Sequence, residues 1–213
     1  MLLSVLKECL EYSGFFRLRR LTVSHELFGG GMSAPLEREV LEHGDVAAAV
    51  LFDPILDKVV MVEQFRVGAY AAGLNPWLLD IVAGRIENGQ SPEETIAREI
   101  SEESGLTPLS VEPIGIYLTA PHLSSERVHL FCALVDSSKV IGTHGVSAEG
   151  EDIRPLVIDR ADMLHLMQTQ TLSLWAGLAL GWIISGSSKE SSSLRTGRLK
   201  TSPQGTKDAN FMK

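Results

Sequence analysis

Apolar and polar residues change their spacing several times along the chain, and each change predicts an element. Two strand-like runs, 46–52 (VAAAVLF) and 58–65 (KVVMVEQF), are joined by Asp53-Pro54 and Asp57. Alternation of period two puts Val59, Met61 and Glu63 on one face, so the pair reads as a hairpin. Residues 77–83, 114–118, 128–135 and 154–158 predict further strands, with a Gly-, Ser- and Glu-rich loop at 142–152. Helices are expected around 161–169 and over 172–184. The second is the most apolar window, but its thirteen residues fall well short of the roughly 20 needed to cross a bilayer, which predicts a buried helix and no membrane association.

Between 91 and 104 the punctuation of a helix is complete. Ser91 stands as N-cap, Pro92 at the first helical position, Glu94 closes a capping box, and Gly105 supplies the stop. Mixed strands with few helices predict an α+β fold. Residues 1–42, broken up by Phe15-Phe16 and by Gly29-Gly30-Gly31, read as a small N-terminal lobe of short β-strands; 43–184 read as the main domain. The stretch 185–213 is Ser-rich and poor in large apolar groups, so a flexible tail is expected there.

Composition narrows the class. A chain of 213 residues suffices for one domain and a small extra lobe, and 44% apolar with 22% charged residues is the make-up of a soluble globular protein. The net charge is −8, yet the segment from Ser185 carries six Lys/Arg against two acids, so the rest holds about −12. That excess argues against a nucleic-acid surface, and an acidic protein acting on an anionic substrate needs a cation as mediator. Cys9 and Cys132 are too few for a disulfide framework, and the opening MLLSVLKECL lacks the features of a cleaved leader, so a reducing cytoplasm is expected. His43, His122, His129, His144 and His165 show no zinc-type spacing and read as surface or core-satisfied.

Glu99 and Glu103 lie four residues apart on one helix face, with Glu102 beside them and Arg98 one turn before Glu102. Like charges at that spacing repel, whereas a hard divalent cation between them reverses the sign of the interaction. Spacing alone describes a solvated acidic face equally well. The longer string Gly84-x5-Gln90-x7-Arg98-Glu99-Ile100-x-Glu102-Glu103-x-Gly105-Leu106 resembles the Nudix box at every defined position but one, Gln90 standing where that family has glutamate. Further segments resemble the ADP-ribose pyrophosphatase branch of that family: Glu63-Gln64-Phe65-Arg66, the run from Pro76 and Trp77 to Gly84, Pro121, the triplet Ser125-Glu126-Arg127, and Glu149-Gly150-Glu151-Asp152-Ile153.

The resemblance implies a Nudix fold, a mixed β-sheet sandwiched between α-helices, and a homodimer built through the N-terminal lobes. It implies a cofactor, Mg2+ or Mn2+ in its place, held by Glu99, Glu103, Glu151 and the carbonyl of Ala83. Glu149 would be the general base, with Glu102 and Arg98 completing the catalytic set. Arg66 would bind the phosphates, Glu126 the base or ribose, and Phe15, Phe16 and Arg38 would reach toward adenine, from the same subunit or its partner. The implied activity is hydrolysis of the pyrophosphate of ADP-ribose to AMP and ribose 5-phosphate. A broader nucleoside-diphosphate-sugar hydrolase and a binding module without turnover remain as alternatives, the latter because Gln90 keeps the shape and an acceptor oxygen of glutamate but loses its charge.

Overall fold

The structure is a computed structural model that describes residues 1–186. The expected tail at 185–213 lies almost wholly outside the described residues. Ten strands and four α-helices fall into a small sheet, a large sheet and the helices that flank it.

The small sheet is an antiparallel meander of β1 (Leu3–Ser13), β2 (Arg17–His25) and β3 (Leu36–Glu42). Its first two strands run to 11 and 9 residues, longer than the short strands expected. The aromatic pair and the triple glycine fall in the connections rather than inside strands, and Gly30 and Gly31 both take positive φ there.

The large sheet carries β4 (Val46–Asp53), β5 (Lys58–Phe65), β6 (Trp77–Asp80), β7 (Val82–Arg85), β8 (Ser110–Leu118), β9 (Arg127–Leu134) and β10 (Arg154–Asp159). The order along it is β10-β5-β4-β9-β8. Only β4 and β9 pair in parallel among these ladders, which makes the sheet mixed. All eight residues of β4 are buried, and their alternation serves both faces. Ala47, Ala49 and Leu51 pack with Ile96 and Ile100 of α2 (Pro92–Ser104). Val46, Ala48, Val50 and Phe52 pack with α3 (Met163–Thr169) and α4 (Leu174–Ile184) through Met163, Ala176, Ala179, Leu180 and Ile183. A strand apolar on both sides is the signature of a sheet with helices on both faces. No helix of the described residues is long and apolar enough to cross a membrane.

Two departures from the sequence pattern bear on the site. The single strand expected at 77–83 is two: β6 pairs with β5, β7 pairs with β4, and the chain changes partner at Ile81. Only the last residues of β4, Leu51 to Asp53, pair with β5, so the two strands part and the β6–β7 segment occupies the opening. Local alternation cannot report a change of partner. The strand expected at 114–118 begins at Ser110, since Pro113 sits beside a bulge on an edge strand, where a residue without N–H is tolerated. A short helix α1 (Val67–Ala71), for which the sequence pattern gave no sign, follows β5.

Asp53 closes the β4–β5 hairpin from inside: its carboxylate accepts from the backbone N–H of Ile55, Leu56 and Ser137 and from the Ser137 hydroxyl, at 2.7 to 3.0 Å. Burial opposes its charge, but these donors outweigh burial and hold the pKa below the ordinary value. Asp53→Ala leaves those donors without an acceptor and is expected to cost roughly 2–4 kcal/mol, read as a lowered midpoint in denaturant titration. A midpoint equal to that of the wild type would refute this account of the turn.

Candidate active site

Helix α2 is held as its sequence requires. The Ser91 hydroxyl accepts from the Glu94 backbone N–H at 3.1 Å, the Glu94 carboxylate accepts from the Ser91 backbone N–H at 2.8 Å, and Gly105 ends the helix in the left-handed region. The Ile96 and Ile100 stripe faces the core, and the adjacent stripe carries Glu99 and Glu103, which are 8% and 1% exposed. Two carboxylates one turn apart are thus both withdrawn from water. Burial raises the pKa of Glu99, and it drives that of Glu103 up to about 8, with Glu99 and Glu151 adding to the effect and Arg66 opposing it.

The partners of Glu103 are neutral: the Ala83 backbone N–H at 3.3 Å and the Gln64 amide at 3.5 Å. Arg98 bridges Glu99 at 2.8 Å and Glu102 at 2.5 Å. Glu99 lies hard against β7, where a Cβ on Gly84 would stand 1.8 Å from its carboxylate oxygen. A side chain at that position would have to displace the Glu99 carboxylate, which gives the box glycine a steric reason.

A cleft of about 450 Å³ opens beside this stripe. It gathers Glu99, Arg98, Ala83 and Gly84 with Arg66, Glu126, Phe15, Glu149 and Glu151, which stand far apart in sequence. Glu149 is exposed on a 3-10 turn at Ser147–Glu149, followed by Gly150 in the left-handed region. Glu151 is turned inward, accepting from the Val146 backbone N–H at 3.0 Å. The Gly145 N–H donates to the Glu102 carbonyl at 2.8 Å, which ties this loop to α2. Glu102 itself, Glu103, Phe16 and Arg38 do not line the cleft. Arg38 donates to the Glu37 carbonyl and borders a separate hollow with Arg20, Glu39 and His122, so one chain alone does not bring it to the site. Gln90 does not line the cleft either: its side-chain oxygen accepts from the Thr95 hydroxyl at 3.1 Å, a bond that needs an acceptor but no charge.

Five lining residues, His43, Val46, Arg85, Glu87 and Trp175, were missed by the sequence reading. His43, expected to be a surface or core-satisfied histidine, packs at a tilt against Phe15 and Phe16, at 4.8 and 4.9 Å between centroids. Its ring nitrogens are buried without a hydrogen-bond partner, and Nδ1 lies 3.6 Å from the Glu126 carboxylate. Arg85 lies over the Phe15 ring, and Trp175 enters from α4. A lone histidine and an arginine inside an otherwise ordinary strand give no spacing signal, so no periodicity would have found them.

The carboxylates suit a divalent cation. Among the described residues Glu103 forms no ion pair, and no three metal-ligating side chains are already gathered around one point. Glu151 nevertheless acts electrostatically on both Glu99 and Glu103, and Glu99 on Glu103. Glu103, which has no cationic partner, is the kind of buried carboxylate that is relieved by a proton or by a hard cation with oxygen ligands.

A family model of the NUDIX domain matches residues 42–172. The chain is 39% identical over 173 residues to an ADP-ribose pyrophosphatase of Escherichia coli, covering 81% of this chain and 83% of that protein. It is 38% identical over 168 residues to an ADP-ribose pyrophosphatase of Haemophilus influenzae, covering 78% and 77% respectively. A solved structure titled "Crystal structure of ADP compounds hydrolase" superposes with a TM-score of 0.66 at 17% identity, over 88% of this chain and 95% of that one, a likeness of fold.

Because the folded pKa of Glu103 is raised from 4.5 to about 8, the folded chain holds a proton that the unfolded chain gives up between those values. Stability of the metal-free protein is therefore expected to fall as pH rises through that window. Glu103→Gln should flatten the fall, measured as the thermal midpoint in chelator from pH 5 to 8. Equal slopes for the two proteins would refute the burial of this charge.

Proposed function

The chain belongs to the Nudix family, and from that premise we propose that it is a Mg2+-dependent hydrolase of ADP-ribose, releasing AMP and ribose 5-phosphate. The observation that carries this reading is the convergence, in one cleft, of Glu99 from the buried acidic stripe of α2, the Glu149–Glu151 loop, Arg66 and an aromatic end around Phe15. An ADP-sugar has matching parts: a diphosphate that needs cations, a flat base that needs an aromatic surface, and ribose hydroxyls that need acceptors. The Escherichia coli and Haemophilus influenzae relatives, each named ADP-ribose pyrophosphatase, support the same substrate.

Glu99, Glu103, Glu151 and the Ala83 carbonyl would hold Mg2+, or Mn2+, which when bound offsets the charge of the diphosphate and lowers the pKa of water. Arg98 holds Glu99 and Glu102 together and keeps the stripe from splaying under its own repulsion. Arg66 pairs with the phosphate oxygens. Glu149, on an exposed turn flanked by glycines, takes a proton from the attacking water as oxygen bonds to phosphorus and the bridging P–O bond breaks. Phe15, braced edge-on by Phe16, offers the base a stacking surface, and Glu126 accepts from the nucleoside. Gln90 is compatible with turnover, because its bond to Thr95 uses only an acceptor oxygen.

The active form is proposed to be a homodimer joined through the small sheet. Leu3, Val5, Leu6, Leu10 and Tyr12 on the edge strand β1 are all more than half exposed, an apolar edge that a free monomer would leave open to aggregation. In a dimer, Arg38 and its neighbours would be free to complete the partner's cleft. The acidic charge speaks against nucleic acid and membrane partners, and the two free cysteines suit a reducing cytoplasm.

Purified protein with ADP-ribose should release AMP with Mg2+ and none in chelator. Glu149→Gln should lower kcat by roughly 100-fold or more without lowering the thermal midpoint. Folded wild-type protein that binds ADP-ribose but never cleaves it would sink the enzymatic reading and leave the binding module. Light scattering should give twice the chain mass, and a single-chain mass at working concentration would refute the dimer.

A further inference from the structure

Asp80 is the last residue of β6, at the point where the chain leaves β5 for β4, and it is 2% exposed. Its Oδ1 accepts from the Ile81 backbone N–H at 2.9 Å, which lies at the break between the two strands. The same oxygen accepts from the Ser173 hydroxyl at 2.6 Å and from Trp175 Nε1 at 3.2 Å. Ser173 is the N-cap of α4, accepting from the Ala176 N–H at 3.1 Å. One oxygen thereby fastens the strand break to the start of α4 and fixes Trp175, which lines the cleft. Oδ2 has a different duty: it accepts from Arg66 Nη2 at 3.3 Å.

Arg66 follows β5 directly, on a segment anchored by its backbone N–H to the Pro76 carbonyl at 2.7 Å. Its guanidinium is partly open to the cleft. A long, flexible side chain loses much rotamer freedom when it binds an anion, and a partner that holds it beforehand removes part of that cost. A guanidinium has five donors in a rigid fork, so a bond to Asp80 leaves others for a phosphate.

From this geometry we propose that Asp80 is a positioning residue, whose Oδ2 holds the Arg66 guanidinium in the cleft ready for the diphosphate while its Oδ1 secures α4. The inference rests on the reading of Arg66 as the phosphate-binding side chain. It assigns a task to a buried carboxylate outside the acidic stripe.

Asp80→Asn separates the two duties. An amide oxygen in place of Oδ1 keeps the bonds from Ile81, Ser173 and Trp175, while an amide NH2 in place of Oδ2 faces the guanidinium with a donor and cannot accept. The variant should fold with a thermal midpoint near that of the wild type, raise KM for ADP-ribose about tenfold or more, and leave kcat within about threefold. In an Arg66→Ala background it should add nothing, because the group it positions is gone. If asparagine does not fold, Asp80→Glu retains the charge but moves the acceptor by one methylene, and it should raise KM less, again only while Arg66 is present.

Folded Asp80→Asn with unchanged KM, alongside a damaging Arg66→Ala, would overturn the proposal and leave the reading of Arg66 intact. A harmless Arg66→Ala would remove that reading and the proposal with it. Additive effects in the double variant would show that Asp80 acts on the cleft by a route other than Arg66, and the proposal would fall.

Discussion

Two carboxylates on successive turns of α2 are buried together, and most of the site is arranged around that repulsion. Burial works against the charge of both Glu99 and Glu103 there, and it drives the pKa of Glu103 up to about 8. The surroundings answer in parts. Arg98 spans Glu99 and Glu102, the Ala83 N–H and Gln64 donate to Glu103, and Arg66 opposes the shift at longer range. What these groups leave unsatisfied is the demand that a divalent cation would meet. The same crowding explains the backbone beneath, since the Glu99 carboxylate occupies the volume of a side chain at Gly84.

The parting of β4 and β5 gives that stripe something to face. Because β6 pairs with β5 and β7 pairs with β4, the segment between them crosses the opening and brings Ala83 and Gly84 up to the helix. A crossing of this kind leaves backbone groups outside any ladder, and one of them is satisfied by the residue at the break, Asp80. That carboxylate also reaches Arg66 and the start of α4, so a repair of the sheet doubles as a link between two parts of the cleft wall.

At the other end the small sheet supplies aromatic surface. Phe15 and Phe16 lie in the turn between β1 and β2, meet at 5.0 Å edge to face, and enclose His43. The connection is fixed by backbone bonds between Leu41 and the 123–125 segment, which also orients Glu126. A lobe that would otherwise be a loose meander is thereby held over the cleft.

The sequence by itself determined what depends on near neighbours along the chain. The capping box of Ser91 and Glu94, the stop at Gly105, the i to i+4 spacing of Glu99 and Glu103 on α2 and the apolar α4 all follow from spacing, and the structure has each of them. The spaced pattern of the box also singles out Glu99, Glu103, Arg98 and Gly84. Only the tertiary structure decided which distant segments meet: that Arg66, Glu126, Glu149 and Glu151 share one cleft, that His43, Arg85 and Trp175 join them, and that Arg38 does not within a single chain. It also divided the 77–83 run into two strands with different partners. The reason is physical: helix caps and side-chain periodicity are local, whereas strand partners and the meeting of loops depend on burial summed over the whole chain, which no window of residues contains.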